Sequence, residues 1–178
     1  MRDSQKTMLG VIVVLIISVA LLSIINGFTK EVIIERRQQE LNKTLKGAFP
    51  QADEFSEQEV SDGEFKAVYI AIMDGQETGY VLDVIAEGYG GEFTMLVGVY
   101  ANGDINRIAI GPNNESEGIG KKIEQDDFTR QFTDHQGEIL SATDGGSIDT
   151  ISGATISSKA AIKAAQDAQK FVMQQVKE

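Results

Sequence analysis

An uninterrupted apolar run near the N-terminus constrains this chain more than any other feature of its sequence. Residues 8–28 include no charged side chain, and 14 of these 21 residues are Leu, Ile, Val or Phe. A helix of that length extends about 31 Å, which matches the roughly 30 Å hydrocarbon core of a bilayer. Insertion of these apolar side chains is favourable by about 4 to 8 kcal/mol in total. The run therefore predicts one transmembrane helix that anchors the chain to a membrane.

Two interpretations of this run differ in whether it stays attached. The apolar core of a cleaved signal peptide usually has about 7–15 residues and ends at a small-residue cleavage site. Here the small residues Ser18-Val19-Ala20 lie inside the run rather than after it, which favours an uncleaved anchor. Basic residues lie on both sides of the run, so the positive-inside rule leaves its orientation open.

The rest of the chain divides where its composition changes. An amphipathic helix is predicted over residues 30–46, because Ile34, Leu41 and Leu45 fall on one stripe and a glycine and a proline follow it. Residues 51–63 are acidic and predict a surface loop. The predicted organisation is, in chain order, a short tail (1–7), the transmembrane helix (8–28), a juxtamembrane amphipathic helix (29–50) and a C-terminal domain (51–178).

Composition excludes several kinds of chemistry. The net charge of −11 and the pI of about 4.6 argue against a nucleic-acid partner, because no basic stripe is present to contact phosphates. The chain has no cysteine and a single histidine, His135. These counts exclude disulfides, thiolate catalysis and Cys-ligated metal sites, and they predict neither a metal site nor an acid–base catalytic residue. Any redox chemistry must then come from a bound organic cofactor.

The centre of the chain predicts an antiparallel sheet of at least four strands. Segments rich in Val, Ile, Tyr and Phe indicate strands over residues 65–73, 79–86, 93–101 and 104–110. Two of the links between them, Asp74-Gly75 and Asn102-Gly103, are residue pairs typical of tight turns.

Helices are predicted on the C-terminal side of the sheet. A short one is expected over residues 125–132 and a long one over residues 156–177, where four small or apolar residues recur at helical spacing: Ala161, Ala165, Ala168 and Val172. Strands in the middle of the chain and helices at its ends predict an α+β domain, in which helices flank an antiparallel sheet.

The segment before the last helix combines small and hydroxylated residues. Its sequence is Asp149-Thr150-Ile151-Ser152-Gly153-Ala154-Thr155. Glycine lets backbone and ligand approach closely, and the free amides at a helix start favour an anion such as phosphate. A threonine hydroxyl there can contact a phosphate or be esterified by one. The local chemistry leaves a second interpretation open, in which Ser152 or Thr155 only caps the helix.

Two more glycine-bearing loops lie upstream, Gly88-Tyr89-Gly90-Gly91 and Glu115-Ser116-Glu117-Gly118-Ile119-Gly120. Each alone is also typical of an ordinary turn. Together with the segment 149–155, and in this order, they resemble the FMN-binding domain shared by RnfG of the Rnf complex and NqrC of the Na+-translocating NADH:quinone reductase. The resemblance covers residues 31–176 and the anchor. The short chain and single anchor are more similar to RnfG.

This resemblance implies a covalent cofactor. FMN would be attached by a phosphoester to Thr155, the last residue of an Asp-x-x-Ser/Thr-Gly-Ala-Thr motif that is complete here. A separate flavin transferase would make the bond from FAD and recognise a sequence that includes Asp149. Ser157 and Ser158 would donate hydrogen bonds near the phosphate. The other residues implied to contact the cofactor are Ser152, Gly153, Ala154, Tyr89, Gly90, Glu115, Ser116, Gly118, Ile119 and Gly120.

The middle loop departs from the pattern of the family it resembles, which commonly reads His-x-Glu-Thr-Pro-Gly-Leu-Gly. Asn113 and Glu117 stand at the positions of the His and the Pro. The loss of proline removes a fixed φ, which predicts a more mobile loop. If Glu117 faces the flavin ring, its charge disfavours the anionic reduced flavin and lowers the potential. The alternative is that Glu117 points to solvent.

The resemblance implies an electron-carrying subunit of a membrane-bound Rnf-type ferredoxin:NAD+ oxidoreductase that exports Na+ or H+. Its partners would be the other Rnf membrane subunits, its FMN domain would lie on the extracytoplasmic side of the cell membrane, and it would complete no reaction alone. Two alternatives stay open. One is a stand-alone flavinylated carrier for another extracytoplasmic reductase, and the other is a membrane-anchored binding or scaffold domain without a cofactor.

Overall fold

A meander of five antiparallel strands forms the centre of the fold. The computed structural model describes residues 39–59 and 65–176. By its contacts the chain divides into two units, Met1–Leu41 and Asn42–Glu178, and the sheet belongs to the second. Each strand pairs with its neighbour in sequence, in the order β1 (Glu54–Gln58), β2 (Phe65–Met73), β3 (Gln76–Gly88), β4 (Gly91–Tyr100) and β5 (Ile105–Ile110).

Helical segments follow the sheet in the chain. The two α-helices of this part are α1 (Asp126–Thr129) and α2 (Thr155–Gln175), and short 3-10 turns occur at Gly120–Glu124, Arg130–Phe132 and Ala142–Asp144. Together, α1 and the turn after it confirm the short helix predicted over residues 125–132. The antiparallel sheet with its flanking helices confirms the predicted α+β class.

Tight turns set the register of the sheet. Asp74 and Gly75 both have positive φ, 51° and 75°, and close the β2–β3 hairpin between Met73 and Gln76. Positive φ at both central residues gives a turn whose twist matches that of the strands. The Asn102-Gly103 turn is closed by the Tyr100 N–H, which donates to the Asp104 carbonyl oxygen at 2.8 Å. Both predicted turns are therefore confirmed.

The acidic segment 51–63 was predicted to be a surface loop, and this prediction is wrong for its middle. Glu54–Gln58 is strand β1, which pairs antiparallel with β2 in a register that places Glu54 opposite Ile72. No residue of β1 is β-branched, and most of its side chains are exposed. Backbone pairing with the edge of β2 decides its conformation, because β-propensity is a weak, context-dependent preference.

One face of α2 packs on the sheet through small side chains. Ala161, Ala165, Ala168 and Val172 are all fully buried, as their spacing predicted. They share a core with alternate residues of β3 and β4, among them Leu82, Val84, Met95 and Val97. Side chains as small as alanine let the helix lie close to the strands, so the position of its N-terminus is set by this contact.

The opposite face of the sheet receives the chain that precedes β1. Residues 39–45, where the predicted amphipathic helix ends, are helical, and Leu45, Ala48 and Phe49 are buried. Gly98 lies so close to the Ala48 carbonyl oxygen that a Cβ there would overlap it. The apolar run 8–28 and the start of the amphipathic helix lie outside the described residues. Within the residues described, no helix has the length and apolar character needed to cross a membrane.

We expect Leu82→Ala to destabilise the domain by about 2 to 5 kcal/mol, because Leu82 is fully buried between the sheet and α2 and its truncation leaves a cavity. Equilibrium urea unfolding followed by circular dichroism measures this change. Ile85 lies on the same strand and is 50% exposed, so Ile85→Ala serves as the control and should cost far less. Equal losses in the two variants would contradict the packing described.

Candidate functional site

Three loops meet at one end of the sheet and enclose a cleft. They are the β3–β4 turn, the middle loop after β5 and the segment that leads into α2. The cleft has a volume of about 460 Å³, within the roughly 300–1,000 Å³ range of cofactor sites. It is lined by Tyr89, Glu115, Ser116, Ile119, Gly120, Gly153, Ala154, Thr155, Ile156 and Ser157.

The helix start at the cleft is uncapped by any side chain. Ala154 occupies the N-cap position, and no side chain accepts a hydrogen bond from the first turn in a capping geometry. The interpretation of Ser152 or Thr155 as a cap is therefore wrong. Thr155 is the first residue of α2 and is exposed. Within the described part of the chain, no hydrogen bond involves its hydroxyl, so this oxygen is available in the cleft.

Gly153 brings the helix start against the middle loop. Its φ is +83°, a left-handed conformation that favours glycine. A Cβ at this position would also lie 3.3 Å from Ile119 Cγ2. Both the conformation and the close approach explain why a glycine precedes Ala154-Thr155.

Two buried serines in the first turn of α2 hold the neighbouring loops. Ser158 Oγ accepts the Ile151 N–H at 3.0 Å and donates to the Ala154 carbonyl oxygen at 2.9 Å. Its donor is thus already used inside the protein, and the expectation that Ser158 donates toward a phosphate is wrong. Ser157 lines the cleft and its Oγ accepts the Tyr89 N–H at 3.2 Å. This bond joins α2 to the β3–β4 turn.

Glu115 is a buried carboxylate in the wall of the cleft. It is 4% exposed, and its Oε1 accepts the Gly90 N–H at 3.0 Å. Its own N–H donates to Asn113 Oδ1 at 3.1 Å. Asn113, which was singled out as a departure from the family pattern, therefore holds the backbone that carries Glu115.

Glu117 points away from the cleft. Its carboxylate pairs with Lys121, one helical turn further on, and its side chain is 83% exposed. The hydrogen bond and charge of Glu117 raise the pKa of Lys121 above its usual value. Glu117 is absent from the cleft lining. The geometry supports the interpretation that it points to solvent rather than toward a ring in the cleft.

Apolar side chains form an exposed rim around the cleft. Tyr89 is 74% exposed, Ile119 is 50% exposed and Ile156 is 57% exposed. Large apolar side chains held at a surface in one patch often mark a binding site. This apolar rim lies beside the exposed Thr155 hydroxyl and the free amides of the helix start, so the cleft combines an apolar surface with an anion-favouring end.

The structure brings together most of the residues singled out in the sequence, but four of them do not line the cleft. Ser152 and Gly118 lie beside it in their loops, and Gly90 contacts it only through Glu115. Asp149 is held outside the cleft, where its N–H donates to Gln131 Oε1 at 2.7 Å. The sequence reasoning missed Ile156. The signal was available, since an exposed isoleucine directly after Thr155 breaks the pattern of buried residues on α2.

Comparisons with known proteins were consistent with this geometry. A family described as the FMN-binding domain matches residues 88–170. The G-type subunit of the proton-translocating ferredoxin:NAD(+) oxidoreductase complex of Clostridium ljungdahlii is 30% identical over 156 residues, which cover 85% of this chain and 82% of that protein. The G-type subunit of the ion-translocating oxidoreductase complex of Methanosarcina acetivorans is 30% identical over 182 residues, which cover 98% and 97%.

A solved structure shares the fold. The crystal structure of Shewanella oneidensis NqrC aligns with a TM-score of 0.51 over 73% of each chain, at 15% sequence identity. At that identity the likeness shows the fold alone, and it agrees with the five-stranded sheet and its flanking helices.

We expect Ser158→Ala to destabilise the domain by about 1 to 3 kcal/mol, since it leaves the Ile151 N–H without its acceptor. Chemical unfolding of the purified chain measures the change. Ser152 is exposed in the same segment, so Ser152→Ala is the matched control and should change stability by less than about 0.5 kcal/mol. If both variants unfold at the same denaturant concentration as the original chain, Ser158 does not brace the helix start.

Proposed function

This chain belongs to the RnfG family of ion-translocating oxidoreductase complexes, and we propose that it carries FMN on Thr155 as an electron-transfer subunit of such a complex. The relatives are named as subunits of ion-translocating oxidoreductases, and the FMN-binding domain family matches the region that builds the cleft. Covalent attachment and the electron-transfer role go beyond those findings.

One observation carries the proposal. The Thr155 hydroxyl is exposed, lines the cleft and, among the described residues, makes no hydrogen bond. A threonine that served only to start the helix would be expected to cap it, and here the N-cap position belongs to Ala154. The hydroxyl is therefore free to carry a phosphoester.

The surroundings of Thr155 suit the phosphate of FMN. The first amides of α2 have no intrahelical acceptor, and the positive end of the helix dipole lies at the same point. Gly153 brings its backbone close to the cleft because it carries no Cβ. A chain with net charge −11 thus has a local site where an added negative charge is stabilised.

The rim suits the flat ring of a flavin. Tyr89, Ile119 and Ile156 offer exposed apolar surface next to Thr155, and covering them removes apolar area from water. When bound, FMN supplies the electron chemistry. The chain positions the ring and leaves the cleft open on one side, which permits electron exchange with a partner.

The proposed attachment is a transfer of the FMN half of FAD. Thr155 Oγ1 forms a bond to the phosphorus of that half, the bond between the two phosphates of FAD breaks, AMP leaves and the hydroxyl loses its proton. No electrons are gained or lost. We propose that a separate flavin transferase catalyses this step. Asp149 is exposed and lies outside the cleft, so its carboxylate is accessible to such an enzyme.

A covalent bond has a physical advantage for the location that we propose, on the extracytoplasmic side of the cell membrane. A domain there is not refilled from a cytosolic FMN pool. A tether keeps the flavin at high effective concentration beside its cleft, so a shallow and open site stays filled. In this proposal a transmembrane helix over residues 8–28 holds the domain near the other Rnf membrane subunits, which exchange electrons with it.

The test of the attachment site is in-gel flavin fluorescence. The full chain is expressed with and without a flavin transferase, and denatured protein is viewed under ultraviolet light. We expect a fluorescent band with the original chain and the transferase, and its complete loss in Thr155→Ala. Thr150→Ala, which changes another threonine of the same motif, is the control and should keep the band. Fluorescence that persists in Thr155→Ala would overturn the assignment, and a colourless original chain would favour the cofactor-free binding domain.

Membership of a complex is tested separately. Solubilised membranes containing the tagged full chain should yield other Rnf-type subunits upon affinity purification. A flavinylated chain that purifies with a different extracytoplasmic reductase would support the stand-alone carrier instead.

A further inference from the structure

We propose that Glu115 is a positioning residue that joins the β3–β4 turn to the middle loop and so sets the place of Tyr89 at the rim of the cleft. This inference rests on the proposed function, because the turn matters for electron transfer only if the cleft holds FMN. Glu115 acts through Gly90 rather than through the cofactor.

The burial of Glu115 requires an explanation. A carboxylate that is only 4% exposed is costly unless its charge is paired or hydrogen-bonded. No Lys or Arg within the described residues forms a salt bridge with Glu115. Its carboxylate accepts the Gly90 N–H, which lies 3.0 Å from Oε1. A hydrogen bond from an amide to a charged oxygen is roughly twice as strong as a neutral one, so the burial serves to hold Gly90.

Glycines from two loops leave the room that Glu115 occupies. A Cβ on Gly88 would overlap Glu115 Oε1, and one on Gly120 would lie 2.5 Å from Oε2. A Cβ on Gly90 would overlap the carbonyl oxygen of Asn114, the residue before Glu115. Three glycines that the sequence assigns to turns or to ligand approach are thus needed to fit this one side chain and its backbone.

The backbone of Glu115 is itself held in place. Asn113 Oδ1 accepts the Glu115 N–H at 3.1 Å, while Asn113 Nδ2 donates to the Gly111 carbonyl oxygen at 3.1 Å and to Glu124 Oε1 at 2.7 Å. Asn113 therefore ties the two ends of the middle loop to the residue that reaches across to Gly90.

The β3–β4 turn is consequently held from two sides. The Gly90 N–H donates to Glu115 of the middle loop, and the adjacent Tyr89 N–H donates to Ser157 of α2. Tyr89 is 74% exposed, so its ring has little packing of its own to hold it. These two amide bonds fix the backbone from which the Tyr89 side chain extends over the cleft.

The first test measures amide hydrogen exchange of Gly90 in the detergent-solubilised full chain. Loss of a hydrogen bond to a charged group should speed this exchange in Glu115→Ala by about 10- to 100-fold. Glu115→Gln keeps an acceptor oxygen at the same reach and should retain most of the protection. Glu117→Gln removes the same charge two residues away, from an exposed side chain, and should leave Gly90 unchanged. Unchanged Gly90 exchange in Glu115→Ala would overturn the proposal.

The second test uses the flavinylated protein and separates positioning from simple charge. Visible circular dichroism and the midpoint potential of the flavin are measured for the same three variants. Positioning predicts that Glu115→Ala shifts both signals while Glu115→Gln returns toward the original values. Equal shifts in both variants would mean that the carboxylate acts on the flavin by its charge, and would overturn the positioning role.

A third variant guards against loss of folding. If Glu115→Ala does not give a folded chain, Asn113→Ala loosens the Glu115 backbone while the carboxylate is kept, and it should also speed Gly90 exchange. Unchanged exchange there would contradict the proposal. The exchange measurement needs no flavin. A chain that never acquires FMN thus defeats the proposed function, whereas an unprotected Gly90 in the original chain defeats the role of Glu115.

Discussion

The close packing of α2 on the sheet is the contact on which the rest of the structure depends. Its buried face consists largely of alanines, so the helix axis lies near β3 and β4. The first turn of α2 is thereby placed beside the turn that connects those two strands. Ser157 can then accept the Tyr89 N–H, and Thr155 opens into the cleft. A larger side chain on this face would move the helix away from the sheet and separate the motif from the rim.

The cleft divides its tasks among groups that do not compete with one another. Buried groups, Ser158, Glu115 and Asn113, hold the loops by hydrogen bonds within the protein. Groups that these bonds leave free, the Thr155 hydroxyl and the first amides of α2, face the cleft. The exposed apolar side chains complete its rim. This arrangement suits a tethered flavin, since the tether relieves the cleft of the need to enclose its cofactor.

The agreement between sequence and structure depends on how local the deciding physics is. Strand β2 begins and ends as predicted, because its apolar content and the Asp74-Gly75 turn are local signals. The strand Glu54–Gln58 was missed, since only its pairing with β2 makes it a strand. Glu117 could not be placed from the sequence, because its direction is set by an ion pair with Lys121 that exists only after the loop folds. Ser158 was misread for a similar reason: its hydroxyl is consumed by Ile151 and Ala154.

The sequence by itself determined the sheet's turns, the helical face of α2 and the motif that ends at Thr155, since periodicity, turn residues and a contiguous motif are all properties of short segments. The tertiary structure decided which residues of the three glycine loops meet, and it gave several of them roles opposite to those their types indicated. Gly88 and Gly120 make room for a buried carboxylate, and the helix start has no capping side chain. These features arise from contacts between residues far apart in the chain, and such contacts exist only once the helix has packed on the sheet.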